Sequence, residues 1–292
     1  IGFCLVGSEM CIRDSTNNMP STAIHYLTMQ EKTNDLVMGT HGRGIIILDD
    51  VSPLRQIKPE ILNEKLVFLK TPATEMWEES TFGGTSTETQ FVGSNPNRAA
   101  KIIYYMKKRH TFGKMSMTVY DMDGNKVTVL SPKKQKGINI VNWNYVMKAP
   151  TVAKGKTFSF GGMTAPRVEA GKYKVVIQKG KESYETIVEL KYNQNSVFTL
   201  EERKEQFKTT MDLYTLTEDL AYLVYEIDEI IAYTASHKEN KALNKKGIAL
   251  AAKLEKLKAT LVVMSGDNYV GAAEPQLREK LGDIYSTVAG YY

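Results

Sequence analysis

Beyond residue 11 the sequence contains no cysteine: Cys4 and Cys11 are the whole complement. That excludes a disulfide framework, a thiolate nucleophile and a cysteine-based metal site from everything downstream. Long apolar runs are also missing. Nothing approaches the ~18–20 consecutive apolar residues that a membrane span needs. Histidine is scarce, with His25, His41, His110 and His237 the full set. None stands at metal-ligand spacing from another, and no H-E-x-x-H occurs. No serine occupies a G-x-S-x-G elbow. These absences leave no catalytic, cofactor-binding or metal-ligating residue to assign.

The first fifteen residues are anomalous. "VGSEMCIRDS" can be encoded by DNA resembling a transposase adaptor used to fragment samples for sequencing. Residues 1–15 are therefore expected to be a read-through scar, and the chain a fragment of a longer protein. Setting aside Glu9, Arg13 and Asp14 from the 33 acidic and 38 basic residues leaves 31 against 37, a net +6. The excess is mild and scattered through clusters such as "KKRH" (107–110) and "KKQK" (133–136). Solvated loop lysines account for it better than a nucleic-acid face, which pairs a basic stripe with exposed aromatics.

Three textures follow. From 16 to 60, "AIHYLTMQ", "DLVMGT" and "GIIILDD" read as short strands, with "HGRG" (41–44) at a tight connection. The near-continuous "GIIIL" suggests a strand covered on both faces. Residues 61–97 read as a linker with first strands, and 78–97 are polar and glycine-rich. From 98 to 193, "KIIYYMK", "KMSMTVYD", "NKVTVL", "GINIVNW", "KTFSF", "GKYKVVIQ" and "SYETIVELKY" are seven strand candidates. Asp123-Gly124 and Lys179-Gly180 mark hairpin tips. Seven short strands, with Trp143 on a central one, predict an immunoglobulin-like β-sandwich.

At Thr199 the period changes from 2 to 3.6. Thr199 and Glu202 form a capping box ahead of a stripe of Phe207, Met211, Tyr214, Leu220, Leu223, Val224, Ile227, Ile230 and Ile231. A second helix over 241–264 carries Leu243, Leu250, Leu254, Leu257 and Leu261. A third, opened by Pro275, carries Leu277, Leu281, Ile284, Tyr285 and Val288. Together they predict an antiparallel bundle over 194–292. Three short helices bury little surface, so the bundle is expected to dock on the other segments. Tyr222, Tyr225 and Tyr233 lie off the stripe and supply contact area for that docking.

Candidate chemistry is sparse. In "GTHGRG" (39–44) the glycines precede a strand rather than a helix, which argues against a phosphate loop. His41 and Arg43 could still face a ligand at the end of a sheet, though a structural hairpin is the favoured reading. "YDMDGN" (120–125) lacks the ligand spacing of a calcium loop and reads as a turn. Asp49 and Asp50, like Glu78 and Glu79, are adjacent in sequence, so on a strand they point to opposite faces. Trp77, with tyrosines of the expected sandwich, could form a carbohydrate-stacking platform; core or interface use is the favoured alternative.

"NDLVMGTHGRGIIILDDVSPLRQI" (34–57) closely resembles the final-blade segment of bacterial proteins with a sortilin-like, BNR-type β-propeller, commonly labelled glycosyl hydrolases. "GSNPNRAAKIIYYM", "DMDGNKV", "GINIVNWNY" and "APRVEAGKYKVVI" are similar to later motifs of that family, in the expected order. Asn97 and Arg98 replace a proline and a glycine of its N-P-P-x-G-A stretch, and the Asp-box signature S-x-D-x-G-x-T-W is absent. The resemblance implies mainly β architecture: last propeller strands, an immunoglobulin-like sandwich, then the helical bundle. It implies a non-catalytic C-terminal accessory region of an exported protein, a glycoside hydrolase acting on polysaccharide. The alternative is a binding or scaffolding protein without hydrolytic activity. A carbohydrate or protein ligand would reach either through the propeller. His41, Arg43 and Trp77 remain the binding candidates on this chain, with no cofactor.

Overall fold

The computed structural model describes residues 21–31, 33–77, 98–236, 241–265 and 274–290. The expected adaptor-derived stretch 1–15 and the polar segment 78–97 lie outside them. Among the described residues the chain is a mixture of α and β: eleven strands in three small sheets and five α-helices. It divides into two units, 1–64 and 65–292. No helix among the described residues is long and apolar enough to cross a membrane.

The first unit is an antiparallel meander of β1 (Ile24–Gln30), β2 (Asp35–Thr40) and β3 (Ile45–Leu48). Two one-turn helices follow, α1 (Ser52–Gln56) and α2 (Pro59–Asn63). Gly42 and Gly44, at φ 72° and 76°, make the β2–β3 turn, and the Thr40 amide donates to the Gly44 carbonyl at 3.1 Å. Such φ values favour glycine, because a Cβ crowds the backbone there. Leu27, Met38 and Ile46 stand in cross-strand register, as do Met29, Leu36 and Leu48. Met38 is buried, whereas Tyr26, Ile45 and Ile47 are exposed on the opposite face. The expectation of a strand covered on both faces, within a propeller blade, is thus corrected. The three strands form one small antiparallel sheet, and no propeller is evident among the described residues.

In the second unit, β5 (Thr74–Met76), β11 (Glu182–Tyr192), β10 (Gly171–Lys179), β7 (Met115–Tyr120) and β8 (Lys126–Leu130) pair in that order. A second sheet runs β4 (Leu66–Leu69), β6 (Ala100–Met106), β9 (Gly137–Trp143). The two sheets share one apolar core. Period-2 alternation places Met115, Met117 and Val119 of β7 inward, beside Tyr173, Val175 and Ile177 of β10. Central β6 buries residues on both faces, including Ile102, Ile103 and Tyr104. Each large side chain so buried contributes about 1.5–3 kcal/mol.

This is not a clear immunoglobulin sandwich, and the sequence expectation is corrected on three counts. The segment 98–193 does not close its own sheets: β4 and β5 come from residues 66–76, and β5 pairs parallel to β11. "KTFSF" forms no strand; its end enters a 3-10 turn, Phe160–Gly162. Trp143 ends β9, an edge strand, where it is 1% exposed, donates to the Val146 carbonyl at 3.0 Å, and meets Tyr173 edge-on. Physically, an alternating pattern fixes which residues point inward but not which strand lies beside which.

The tail holds α3 (Leu200–Ser236), α4 (Lys241–Leu261) and α5 (Leu277–Gly290). The capping box forms: the Thr199 amide donates to the Glu202 carboxylate at 2.8 Å, and the Glu202 amide to the Thr199 hydroxyl at 3.2 Å. The antiparallel bundle does not. Helices α4 and α5 each pack on α3 and scarcely on one another. On α5 the buried residues are Arg278, Glu279, Gly282, Tyr285 and Ala289, while Leu277 and Ile284 of the expected stripe are exposed. On α4, Leu250 and Leu257 are exposed as well. The reason is a non-helical partner, a loop from the β region that covers the polar side of α5.

Candidate functional site

That loop, residues 147–166, leaves the β region between two anchors. Val146 and Arg167 form an antiparallel bridge, and the Val168 amide donates to the Tyr145 carbonyl at 2.9 Å. Ala153, near its start, joins Leu220, Ala221, Val224 and Ile227 of α3 and Leu261 and Val262 in a second apolar cluster. The turn at Phe160–Gly162 lies against α5, where a Cβ on Gly161 would stand 3.0 Å from Cα of Gly282. The Tyr285 hydroxyl closes the contact, donating to the Thr164 carbonyl at 2.8 Å.

A buried ion pair holds the loop. Arg278 and Glu279 are 7% and 8% exposed. Arg278 donates through Nε to the Ala153 carbonyl at 2.7 Å, and through Nη1 to the Thr157 carbonyl at 3.1 Å and to Glu279 Oε1 at 2.6 Å. Thr157 Oγ1 adds a donor to the same carboxylate oxygen at 2.7 Å. Burial by itself raises the Glu279 pKa. The hydrogen bonds from Thr157 and Arg278 and the adjacent guanidinium charge outweigh it and hold the carboxyl below its ordinary value.

Between this fixed loop and α3 lies an open groove of about 440 Å³. One wall is Thr151, Val152, Ala153 and Lys154. Ala221 and Val224 make the buried floor, and Tyr222, Tyr225, Asp228 and Glu229 make the other side. Tyr222 and Tyr225 are 67% and 61% exposed. At the upper end the Glu218 carboxylate accepts from the Thr151 amide at 3.1 Å and from the Tyr214 hydroxyl at 3.3 Å. Burial, reinforced by the Glu218 charge, pushes the Tyr214 hydroxyl up to about 12. At the lower end Asp228 pairs with Lys258 at 2.5 Å. The spacing 218, 222, 225, 229 sets two carboxylates and two phenol rings in one row along α3. This combination of apolar floor, exposed rings and carboxylates can bind a ligand by stacking and by charge.

The residues singled out in the sequence lie elsewhere. His41 and Arg43 sit exposed at the β2–β3 turn of the first unit. The His41 ring stacks on His25, 5.1 Å between centroids and 22° apart, a pairing that sequence spacing did not reveal. Asp50 accepts from the Ser52 amide and hydroxyl, so it serves the start of α1. Trp77 belongs to the second unit and is no open platform. The Arg98 guanidinium covers its ring at 3.6 Å, and its carbonyl accepts from Arg167 at 2.7 Å. The crevice it lines with Arg167, Tyr192 and Arg203 measures about 30 Å³, room for water rather than a sugar ring. Asp121 is tied to the Asn125 amide and side chain at 2.7 and 2.9 Å, as a structural turn requires. Among the described residues no three histidine, aspartate, glutamate or cysteine side chains converge as metal ligands.

Tyr222, Tyr225 and Tyr233, the rings the sequence offers as docking area, are exposed. The only signal for the groove was the 4–3–4 spacing of Glu218, Tyr222, Tyr225 and Glu229. Its opposite wall is some seventy residues away in the chain (Thr151 to Glu218 spans 67). No protein-family model matches this chain, and no curated protein matches it either.

Proposed function

We propose that the chain is a non-catalytic accessory region of an exported protein of the BNR and sortilin-like class, and that it serves by binding. The similarity of residues 34–57 to that class supports the setting. The observation that carries the binding role is the α3 groove, with its exposed Tyr222 and Tyr225 over a fixed apolar floor. Groove size supports a short oligomeric ligand, since pockets of roughly 300–1,000 Å³ take ligands of drug size.

The test pairs two measurements on the full chain. Incubation with a panel of nitrophenyl glycosides and soluble polysaccharides should release no product. Thermal shift against oligosaccharide and peptide panels should give a saturable stabilisation that Tyr222→Ala with Tyr225→Ala removes. Turnover abolished by one Asp or Glu substitution overturns the non-catalytic reading. Stabilisation that is indifferent to the tyrosines overturns the groove.

A further inference from the structure

The groove's charge narrows its ligand. From Glu218 to Glu229, α3 carries Glu218, Asp219, Glu226, Asp228 and Glu229 with no lysine or arginine, on a chain whose net charge is +5. Asp228 is neutralised by Lys258, and Glu218 is engaged by Thr151 and Tyr214. Glu229 is exposed at the groove's lower end, one helical turn beyond Tyr225. Lys154, on the loop wall, is the single basic residue of the lining. The electrostatic asymmetry therefore lies along α3, beside the two rings.

Aromatic faces attract ammonium and guanidinium groups, by roughly 0.5–2 kcal/mol according to desolvation. A carboxylate beside such a ring adds attraction, and the acidic α3 side of the groove, across from Lys154, is where a cation is drawn. A neutral sugar would use the rings and could donate hydroxyls to a carboxylate, but it carries no charge for the acidic side to attract. We infer that the α3 groove takes an extended basic peptide segment, one cationic side chain resting against Tyr222 or Tyr225 and a second reaching Glu229. At 1.5 Å per residue the row from Glu218 to Glu229 is ~16 Å long, which matches about five residues of extended chain. This inference rests on the binding role proposed above and names its partner class.

The test uses the full chain and fluorescence anisotropy with a labelled octapeptide carrying two lysines two to three residues apart, the extended-chain equivalent of the ~6–10 Å from Tyr225 or Tyr222 to Glu229. A twin with glutamine in place of lysine and a neutral hexasaccharide competitor complete the set. The lysine peptide should bind, weaken as salt rises, and bind at least about tenfold more tightly than its twin. Glu229→Gln should cost several-fold, and Tyr222→Ala with Tyr225→Ala about tenfold or more. All three residues are exposed, so circular dichroism should confirm unchanged folding. A twin that binds equally, or variants that bind as well as wild type, overturn the inference. Groove-dependent binding of the hexasaccharide in place of the peptide overturns it while leaving the accessory binding role standing. Failure of every probe overturns both.

Discussion

Replacing Arg278 with methionine tests whether the loop and the tail helices are one mechanical piece. The side chain fills a 7%-exposed site and makes hydrogen bonds to the Ala153 carbonyl, the Thr157 carbonyl and the Glu279 carboxylate. Methionine keeps much of the volume but leaves a buried carboxylate without its cation and two carbonyls without donors. Breaking a buried pair from one side costs about 3–5 kcal/mol. Glu279 retains the Thr157 hydroxyl and the Gln276 amide, which places the expected loss at the lower end, about 3 kcal/mol. At roughly 2–4 °C per kcal/mol for a unit of this size, the melting temperature should fall by ~6–12 °C. Calorimetry of the full chain, with urea unfolding followed by tryptophan fluorescence, reads both values. The double variant Arg278→Met with Glu279→Gln removes the stranded charge and should recover more than about 1 kcal/mol relative to the sum of the single losses. A loss below about 1 kcal/mol for Arg278→Met, or strict additivity, would show that the ion pair does not hold the loop.

Acid should weaken the same contact. Because the Glu279 pKa is lowered in the folded state, its contribution is complete above the unfolded value of about 4.3 and is lost as pH falls through the folded one. Urea midpoints should therefore fall through this range in the wild type and change less in Glu279→Gln. Gly161→Ala should destabilise by about 1–3 kcal/mol, since its Cβ meets helix backbone at Gly282. Gly282→Ala should be close to neutral by chemical denaturation. Its Cβ would stand 2.7 Å from Ser159 Oγ, a hydroxyl with no hydrogen bond to lose, and alanine gains up to ~1 kcal/mol of helix propensity. Equal losses at the two glycines would refute the packing argument. On the first unit, Ile45→Lys with Ile47→Lys should raise the concentration at which light scattering detects aggregates, because both side chains are exposed on an apolar sheet face. Unchanged scattering would mean that this face is not the aggregation site.

Much of the local structure was legible because it is encoded over a few residues. The capping box at Thr199 and Glu202, the glycine turns at 42, 44, 124 and 180, and the alternation of β7 and β10 each need only near neighbours in the chain. The strand order did not follow from them. The sequence predicts first strands within 61–97, but not their neighbours: β4 and β5 take their places beside β6 and β11 by pairing with backbone far along the chain. The site was less legible than the fold. His41 and Arg43 stand out in the glycine-bracketed string "GTHGRG" and Trp77 as an aromatic platform, whereas the groove is built from tyrosines and carboxylates that are ordinary singly.

By itself the sequence determined most of the strands and the three long helices, which side of strands such as β7 and β10 points inward, and that no cysteine chemistry operates after residue 11. The tertiary structure alone decided which face of α5 is buried, how the sheets are ordered, and where the groove lies. The case of α5 shows why. Counting apolar residues at helical spacing selects Leu277, Leu281, Ile284, Tyr285 and Val288, on the premise that the partner is another apolar face; of these Tyr285 is fully buried, while Leu277 and Ile284 are exposed. The partner is a loop that presents backbone carbonyls from Ala153, Thr157 and Thr164. Against such a surface the side chains that gain most from burial are donors, Arg278 and the Tyr285 hydroxyl, together with a glycine small enough to let the chains meet. Hydrophobic periodicity measures a helix's own preference for leaving water. Which face is covered depends on what covers it.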